Sequence, residues 1–210
     1  MRQALALLEF GGAAAGILAV DRMLKMAPVA LLRCGTVHPG RYLALVGGSV
    51  AATEEAHATG VASGCECTLL VDEVCLADPH PQLAAAIEGA RRACVGDAVC
   101  IIEVSTSPGL LRAIDAVLKA VPVELVELRL ADDLGGRALA VLGGELPDVQ
   151  VALELARAAK GAAAEWLGGT LLPRLDETLR DVINGGTAFR ACAAVQPAGA
   201  EILVVEAGEG

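Results

Sequence analysis

The chain repeats itself, and an internal repeat limits architecture more than any single motif does. Residues 4–10 read ALALLEF, followed by a helix-like run ending DRMLKMAPV and then by LLRCGTVHPGRYLALVGG. Further on, the same order recurs as AVCIIEV, DAVLKAVPV and LVELRLADDLGGRALAVLGG. Displaced by 94 positions, Glu9 matches Glu103, Asp21 matches Asp115, Leu24 and Lys25 match Leu118 and Lys119, and Pro28-Val29 matches Pro122-Val123. Displaced by 96, Gly40-Arg41 matches Gly136-Arg137 and Gly47-Gly48 matches Gly143-Gly144, so the second copy has two extra residues in between. Ala, Leu and Gly match by chance in such a chain. Charged residues and prolines matching in order do not.

Two copies in 210 residues favour two domains of about 100 each. With 55% hydrophobic residues the chain is far from a disordered composition. Its apolar runs are nevertheless short. Gly11 to Val20 is closed by Asp21 and Arg22, and no run reaches the roughly 18 residues of a membrane span. Arg2 leads into a strand-like run ending at Glu9, which is not the pattern of a signal peptide. The expectation is a soluble, cytosolic protein. A net charge of -10 with one Trp, one Tyr and two Phe excludes the basic patch and stacking platform of nucleic-acid binders. Seven cysteines, an odd and scattered set, do not form a secreted disulfide framework and are expected mostly as buried thiols. Cys65-x-Cys67 lacks the two-residue spacing of a metal or redox pair.

In order, the first copy reads as strand (4–10), helix (13–27, with Ile17, Leu18, Met23 and Leu24 offered to a buried face), strand (29–34), loop (35–40) and strand (41–46). A helix (51–63) capped by Ser49 and a strand (67–77) complete it. Gly11-Gly12 and Gly47-Gly48 read as turns. A short linking helix (82–94) follows Pro79 and Pro81, with Arg91 and Arg92 near its end. The second copy reads as strand (98–104), helix from Ser107-Pro108 to Pro122, hairpin strands (123–130 and 137–142), helix (146–160), strand (171–175) and a final helical turn or two (176–183). The fold class is α/β (α+β), two ferredoxin-like split-βαβ domains, each an antiparallel sheet with both helices on one face. The expected division is 1–80, a linker over 81–97, 98–184, and a tail over 185–210 whose apolar runs 189–195 and 202–205 read as short strands.

These residues resemble a known family. Each half is similar to the bacterial microcompartment shell domain, and the whole resembles the tandem-domain shell proteins. LLEF…DRMLKMAPV and IIEV…DAVLKAVPV look like its opening strand and helix with their Asp-x-x-x-Lys pattern, and GRYLALVGG and GRALAVLGG look like its third strand. The resemblance implies a non-enzymatic structural protein without a resident cofactor. It implies a homotrimer forming a pseudohexameric tile with a central pore for small metabolites. Such tiles meet other shell hexamers and pentamers edge to edge around encapsulated enzymes, in a shell within the cytoplasm, with no membrane or nucleic acid involved. The unpermuted element order favours a single-layer tile. The family's edge lysine falls on Lys25 and Lys119, and its edge arginine on Arg174; the first copy has Pro79-His80 near that place.

The resemblance also places pore loops at the hairpin turns, on Val37, His38 and Pro39 in one copy and Asp132, Asp133, Leu134 and Gly135 in the other. Three His38 imidazoles around a threefold axis would titrate near neutral pH and offer a zinc-binding set. Asp132 and Asp133 there would attract cations and disfavour anions. Some relatives hold an iron-sulfur cluster at this loop through one cysteine per chain. Here the aligned position is nearest His38, and Cys34 lies back on the strand. Two further readings stay open at this point: a redox or metal-carrying shell trimer, and a cytosolic enzyme or ligand-binding protein of duplicated ferredoxin-like domains with a pocket between the halves. No Ser-His-Asp or Cys-His arrangement favours the latter; His57 and His80 read as surface residues.

Overall fold

The computed structural model describes residues 4–94, 96–131, 134–189 and 192. The first copy runs β1 (Ala4–Phe10), α1 (Ala13–Met26), β2 (Ala30–Val37), β3 (Arg41–Gly48), α2 (Val50–Glu66), β4 (Leu70–Leu76) and α3 (Pro81–Ile87). The second runs β5 (Ala98–Val104), α4 (Ser107–Ala120), β6 (Glu124–Leu130), β7 (Ala138–Gly144), α5 (Leu146–Ala159), β8 (Trp166–Leu172) and α6 (Glu177–Gly185). Each copy forms one antiparallel sheet, ordered β2-β3-β1-β4 and β6-β7-β5-β8. The repeat extends to its irregularities. The register of β1 against β4 shifts between Glu9 and Phe10, and that of β5 against β8 between Glu103 and Val104.

Strand alternation decides which side chains face the helices. Ala6, Leu8 and Phe10 of β1 form a core with Ala19, Val20 and Met23 of α1 and Ala52 and Ala56 of α2. Ala98, Cys100, Ile102 and Val104 of β5 do the same with α4 and α5. The intervening residues Leu5, Leu7 and Glu9 face the other side, where α3 brings Leu83, Ala86 and Ile87. Cys100 is deep enough that burial pushes its thiol up to about 12, leaving it a small hydrophobe at neutral pH.

The structure corrects the sequence reading in several places. Helix α1 buries Ala15, Gly16, Ala19, Val20 and Met23, while Ile17, Leu18 and Leu24 are exposed. Helix α1 packs beside α2, which likewise buries small residues, Ala52, Thr53, Ala56, Gly60, Ser63 and Gly64. Gly60 sits inside α2, where a Cβ would come within 2.7 Å of Leu8 and Met23. Strand β2 continues to Val37, Gly47-Gly48 close β3, and β8 begins at Trp166, before the expected position 171. Of the described cysteines only Cys94 and Cys100 are buried; Cys34, Cys65 and Cys192 are exposed. His57 is half-buried and bonds Glu73 at 2.6 Å, and His80 caps α3 by accepting from the Gln82 amide. The linking helix is short, and it has a counterpart. Displaced by 96 positions, its cap His80 falls on Asp176, the cap of α6. The tail readings at 189–195 and 202–205 lie almost wholly outside the described residues. Among those described, no helix is long and apolar enough to cross a membrane.

Gly16 tests the close approach of α1 to the sheet. A Cβ there would lie 2.3–2.9 Å from the buried Tyr42 side chain, whereas one on Gly35 meets nothing within 4 Å. Gly16→Ala is expected to cost about 1–3 kcal/mol in urea unfolding at fixed protein concentration, and Gly35→Ala no more than about 0.5 kcal/mol.

Candidate functional site

The two copies meet edge to edge, and the contact is built around the first turn of α4. Thr106 caps that helix, its hydroxyl accepting from the Gly109 amide. The first copy brings two carboxylates to the same turn. Glu9 Oε2 accepts from the Ser107 amide at 2.9 Å, and Asp72 Oδ2 accepts from the Thr106 hydroxyl at 2.5 Å. Both acids are buried. A helix start with free amides favours negative charge, so this is a place where buried carboxylates find partners. Arg41 completes the contact by donating to Glu9 Oε1 at 2.5 Å, to the Ser105 carbonyl at 2.8 Å and to the Gly136 carbonyl at 3.5 Å. Arg112 of α4 donates back to the Glu73 carbonyl and lies 3.7 Å from Asp72. Further along, the His80 amide donates to Asp115 Oδ1 at 2.8 Å and the Leu125 amide to Gln82 Oε1 at 2.9 Å.

Burial raises the Glu9 pKa, outweighing the Ser107 amide and Arg41, which lower it; the nearby Asp72 charge adds to the rise.

Because the copies are equivalent, each residue at this contact has a counterpart elsewhere on the molecule. The counterparts of α4 and β6 are α1 and β2, and they are bare. Leu111 is 1% exposed and Ile17 is 57%; Leu118 is 7% and Leu24 42%; Leu125 is 2% and Leu31 39%. Asp115 is buried and Asp21 exposed. The counterparts of β4 and α3 are β8 and α6. There Leu179 is exposed, while its equivalent Leu83 is fully buried. One half of each complementary pair is therefore satisfied within the chain and the other half is left open. Covering a side chain of this size is worth about 1.5–3 kcal/mol, and several such side chains exposed on neighbouring elements point to an interaction surface.

The expected site residues are placed as follows. Lys25 is exposed and pairs with Asp21 at 2.6 Å; Lys119 is half-exposed and pairs with Asp115 at 2.5 Å. Arg174 is exposed just beyond β8. Val37 ends β2, and His38 and Pro39 form the exposed turn after it. Gly135 is exposed in the opposing turn, while Leu134 is partly buried against the cluster of Cys94, Val99 and Val126. The two turns lie side by side: a Cβ on Gly136 would be 3.0 Å from Pro39. Asp132 and Asp133 lie outside the described residues. Among those described, no group of three or more His, Cys, Asp or Glu could hold a metal ion.

A cavity of about 610 Å³ does open beside the junction, lined by Leu5, Leu32, Arg33, Leu45, His80 and Lys119 among others. Val99, Val126 and Val141, the counterparts of Leu5, Leu32 and Leu45, are covered in the second copy by Cys94, Leu175 and Ile183. Ile87 of α3, the counterpart of Ile183, lines the cavity with the buried Leu5 and Leu45, so the copies differ here at Leu32, which is exposed where Val126 is buried. The sequence reading used Glu9, Glu103, Arg41 and Arg137 as markers of the repeat and missed their role. An acid inside an otherwise apolar strand, answered by Gly-Arg at the same place in both copies, was the available signal.

Comparisons with known proteins agree with this duplicated geometry. The family model described as BMC domain matches residues 4–79 and again 98–175. The chain is 33% identical over 186 residues to the bacterial microcompartment shell protein PduT of Citrobacter freundii, spanning 88% of this chain and 100% of that one. It is similar to the crystal structure of a microcompartments protein from Desulfitobacterium hafniense, with a TM-score of 0.71 and 29% identity over 86% of this chain and 99% of that one. A fused permuted hexameric shell protein of the RMM microcompartment shares the fold, with a TM-score of 0.53 and 18% identity over 75% of this chain and 83% of that one.

The Glu9 carboxylate gives the contact a pH signature. With its folded pKa raised above the ordinary 4.5, the folded chain holds a proton that the unfolded chain has lost between those two values. This group's stabilising contribution is present in acid and is lost as pH rises through the folded value. In urea unfolding, wild type is expected to gain stability relative to Glu9→Gln on going from about pH 7 to about pH 5, the gain being larger the closer the folded pKa lies to neutrality.

Proposed function

The chain belongs to the BMC domain family, with two such domains in tandem, and on that premise we propose that it is a homotrimeric, pseudohexameric tile in a microcompartment shell. The observation that carries this reading is the unequal burial of equivalent residues. The bare α1–β2 surface is the counterpart of the covered α4–β6 surface, and the bare β8–α6 surface is the counterpart of the one that covers it. Surfaces that are complementary but not identical join head to tail, and such contacts close into rings when the rotation permits. If the step between domains within the chain approximates a sixth of a turn, three chains close the ring.

In that ring the adjacent hairpin turns lie nearest the axis. Val37, His38 and Pro39, with Asp132, Asp133, Leu134 and Gly135 from the other copy, then border a central pore for small metabolites. The domain division proposed is 1–80 and 98–184, joined by 81–97, with 185–210 as a tail. Lys25, Lys119 and Arg174 belong to the tile edge, where they meet other shell hexamers and pentamers. An interface lysine can lay its methylenes along an apolar surface while its ammonium reaches carbonyls on the neighbour. Encapsulated enzymes would lie on one side of the layer.

Two measurements test this reading. Light scattering on a sizing column is expected to give three times 21.2 kDa; a monomer at every concentration overturns the tile. Lys25→Ala with Lys119→Ala is expected to leave that mass unchanged while abolishing extended sheets in electron micrographs. Sheets formed as readily as by wild type would remove the edge assignment.

A further inference from the structure

We propose that Glu103 and Arg137 of one subunit clasp the first turn of α1 in the next subunit, reproducing between chains the bonds that Glu9 and Arg41 make within one. This inference rests on the trimer proposed above and names the bonds that hold it.

The displacements that relate the copies translate the internal contact residue by residue. Glu9 becomes Glu103 and Arg41 becomes Arg137. The Ser107 amide that Glu9 accepts from becomes the Ala13 amide, and the Ser105 and Gly136 carbonyls that Arg41 reaches become those of Gly11 and Gly40. Both ends of the translated contact are open. Arg137 is exposed and Glu103 half-exposed, and neither has a charged partner among the described residues. Gly12, at the N-cap of α1, gives no side-chain cap, and Gly11 beside it is exposed. The Asp21 carboxylate, counterpart of Asp115, is placed to accept the Asp176 amide as Asp115 accepts that of His80.

The places where the copies differ carry the argument further. Within the chain, Asp72, Thr106 and Arg112 form a buried polar set. Their counterparts are Gly168, Gly12 and Leu18. Asp72 belongs to one face of the internal contact, and Thr106 and Arg112 to the other. All three polar groups are absent together from the two bare faces. Losing only one partner would leave a buried polar group unpaired, at a substantial cost; losing both sides together leaves none. Two separate surfaces that both lack the members of the same hydrogen bond leave no polar group unpaired when they meet. The occupant of the bare α1 face is therefore the β8–α6 face of a second copy of this chain.

The test is trimer dissociation on dilution, followed by light scattering, with circular dichroism to check folding. Glu103→Gln and Arg137→Ala are each expected to raise the concentration at which the trimer dissociates by about tenfold or more, as losing a charged hydrogen bond implies, with unchanged dichroism. Val151→Glu, on the exposed side of α5, which contacts only its own domain, is expected to behave as wild type. Gly168→Asp alone is expected to weaken the trimer, and Gly12→Thr added to it to restore association by supplying the missing hydroxyl. Dissociation of Glu103→Gln and Arg137→Ala indistinguishable from wild type overturns the clasp, as does a failure of Gly12→Thr to rescue Gly168→Asp. A wild type that never forms trimers overturns the tile itself, a different result from a stable trimer indifferent to Glu103.

Discussion

The Glu9 carboxylate lies buried at the start of α4, between the Arg41 guanidinium and the Ser107 amide. The relation of the two domains depends on this contact. A buried carboxylate is costly unless its oxygens are satisfied, and here each oxygen has a partner drawn from a different element. The guanidinium then reaches two carbonyls of the other copy. A shift of either domain would break several charge-assisted bonds at once, so this edge-to-edge contact is directional as well as adhesive. The apolar residues beside it, Leu7 and Val74 with Leu111 in one buried cluster, add adhesion without selecting an angle.

Duplication gives that contact its consequence. A single domain carries both a face that grips and a face that is gripped. Two domains in one chain satisfy one pair and leave the other, which is why Ile17, Leu24 and Leu31 are bare where Leu111, Leu118 and Leu125 are covered. Fusion also frees the copies to diverge. The internal contact uses Asp72, Thr106 and Arg112, whereas the counterpart surfaces carry Gly168, Gly12 and Leu18. The two sets of equivalent surfaces thus differ in polar content while keeping the same positions in the repeat.

Much of the fold was legible because periodicity, Pro28 and Pro122, and the glycine pairs mark elements directly. The repeat marks the same elements in both copies, and β1 and β5 have the bounds that the sequence pattern predicts. The buried face of α1 was misread because hydrophobicity alone does not say which apolar side chains meet the sheet. Ala15, Gly16 and Ala19 win that face by size, and at Gly16 the Tyr42 side chain leaves no room even for a Cβ. The larger Ile17, Leu18 and Leu24 are turned outward, where a second chain can cover them. The cysteines were misread for a related reason: Cys34 lies on the edge strand β2, whose cover the chain itself does not supply.

The sequence alone determined that there are two copies, that each alternates strands and helices in the split-βαβ order, and that matched lysines and hairpins recur. These are local properties, written in spacing and in the identity of charged and turn residues. Only the tertiary structure decided which of two equivalent acids is buried, that α3 and α6 are counterparts, and which surfaces are spoken for within the chain. Those properties depend on how one copy lies against the other. Glu9 and Glu103 occupy the same position in the same local sequence pattern, and what separates them is the presence of α4 beside one of them.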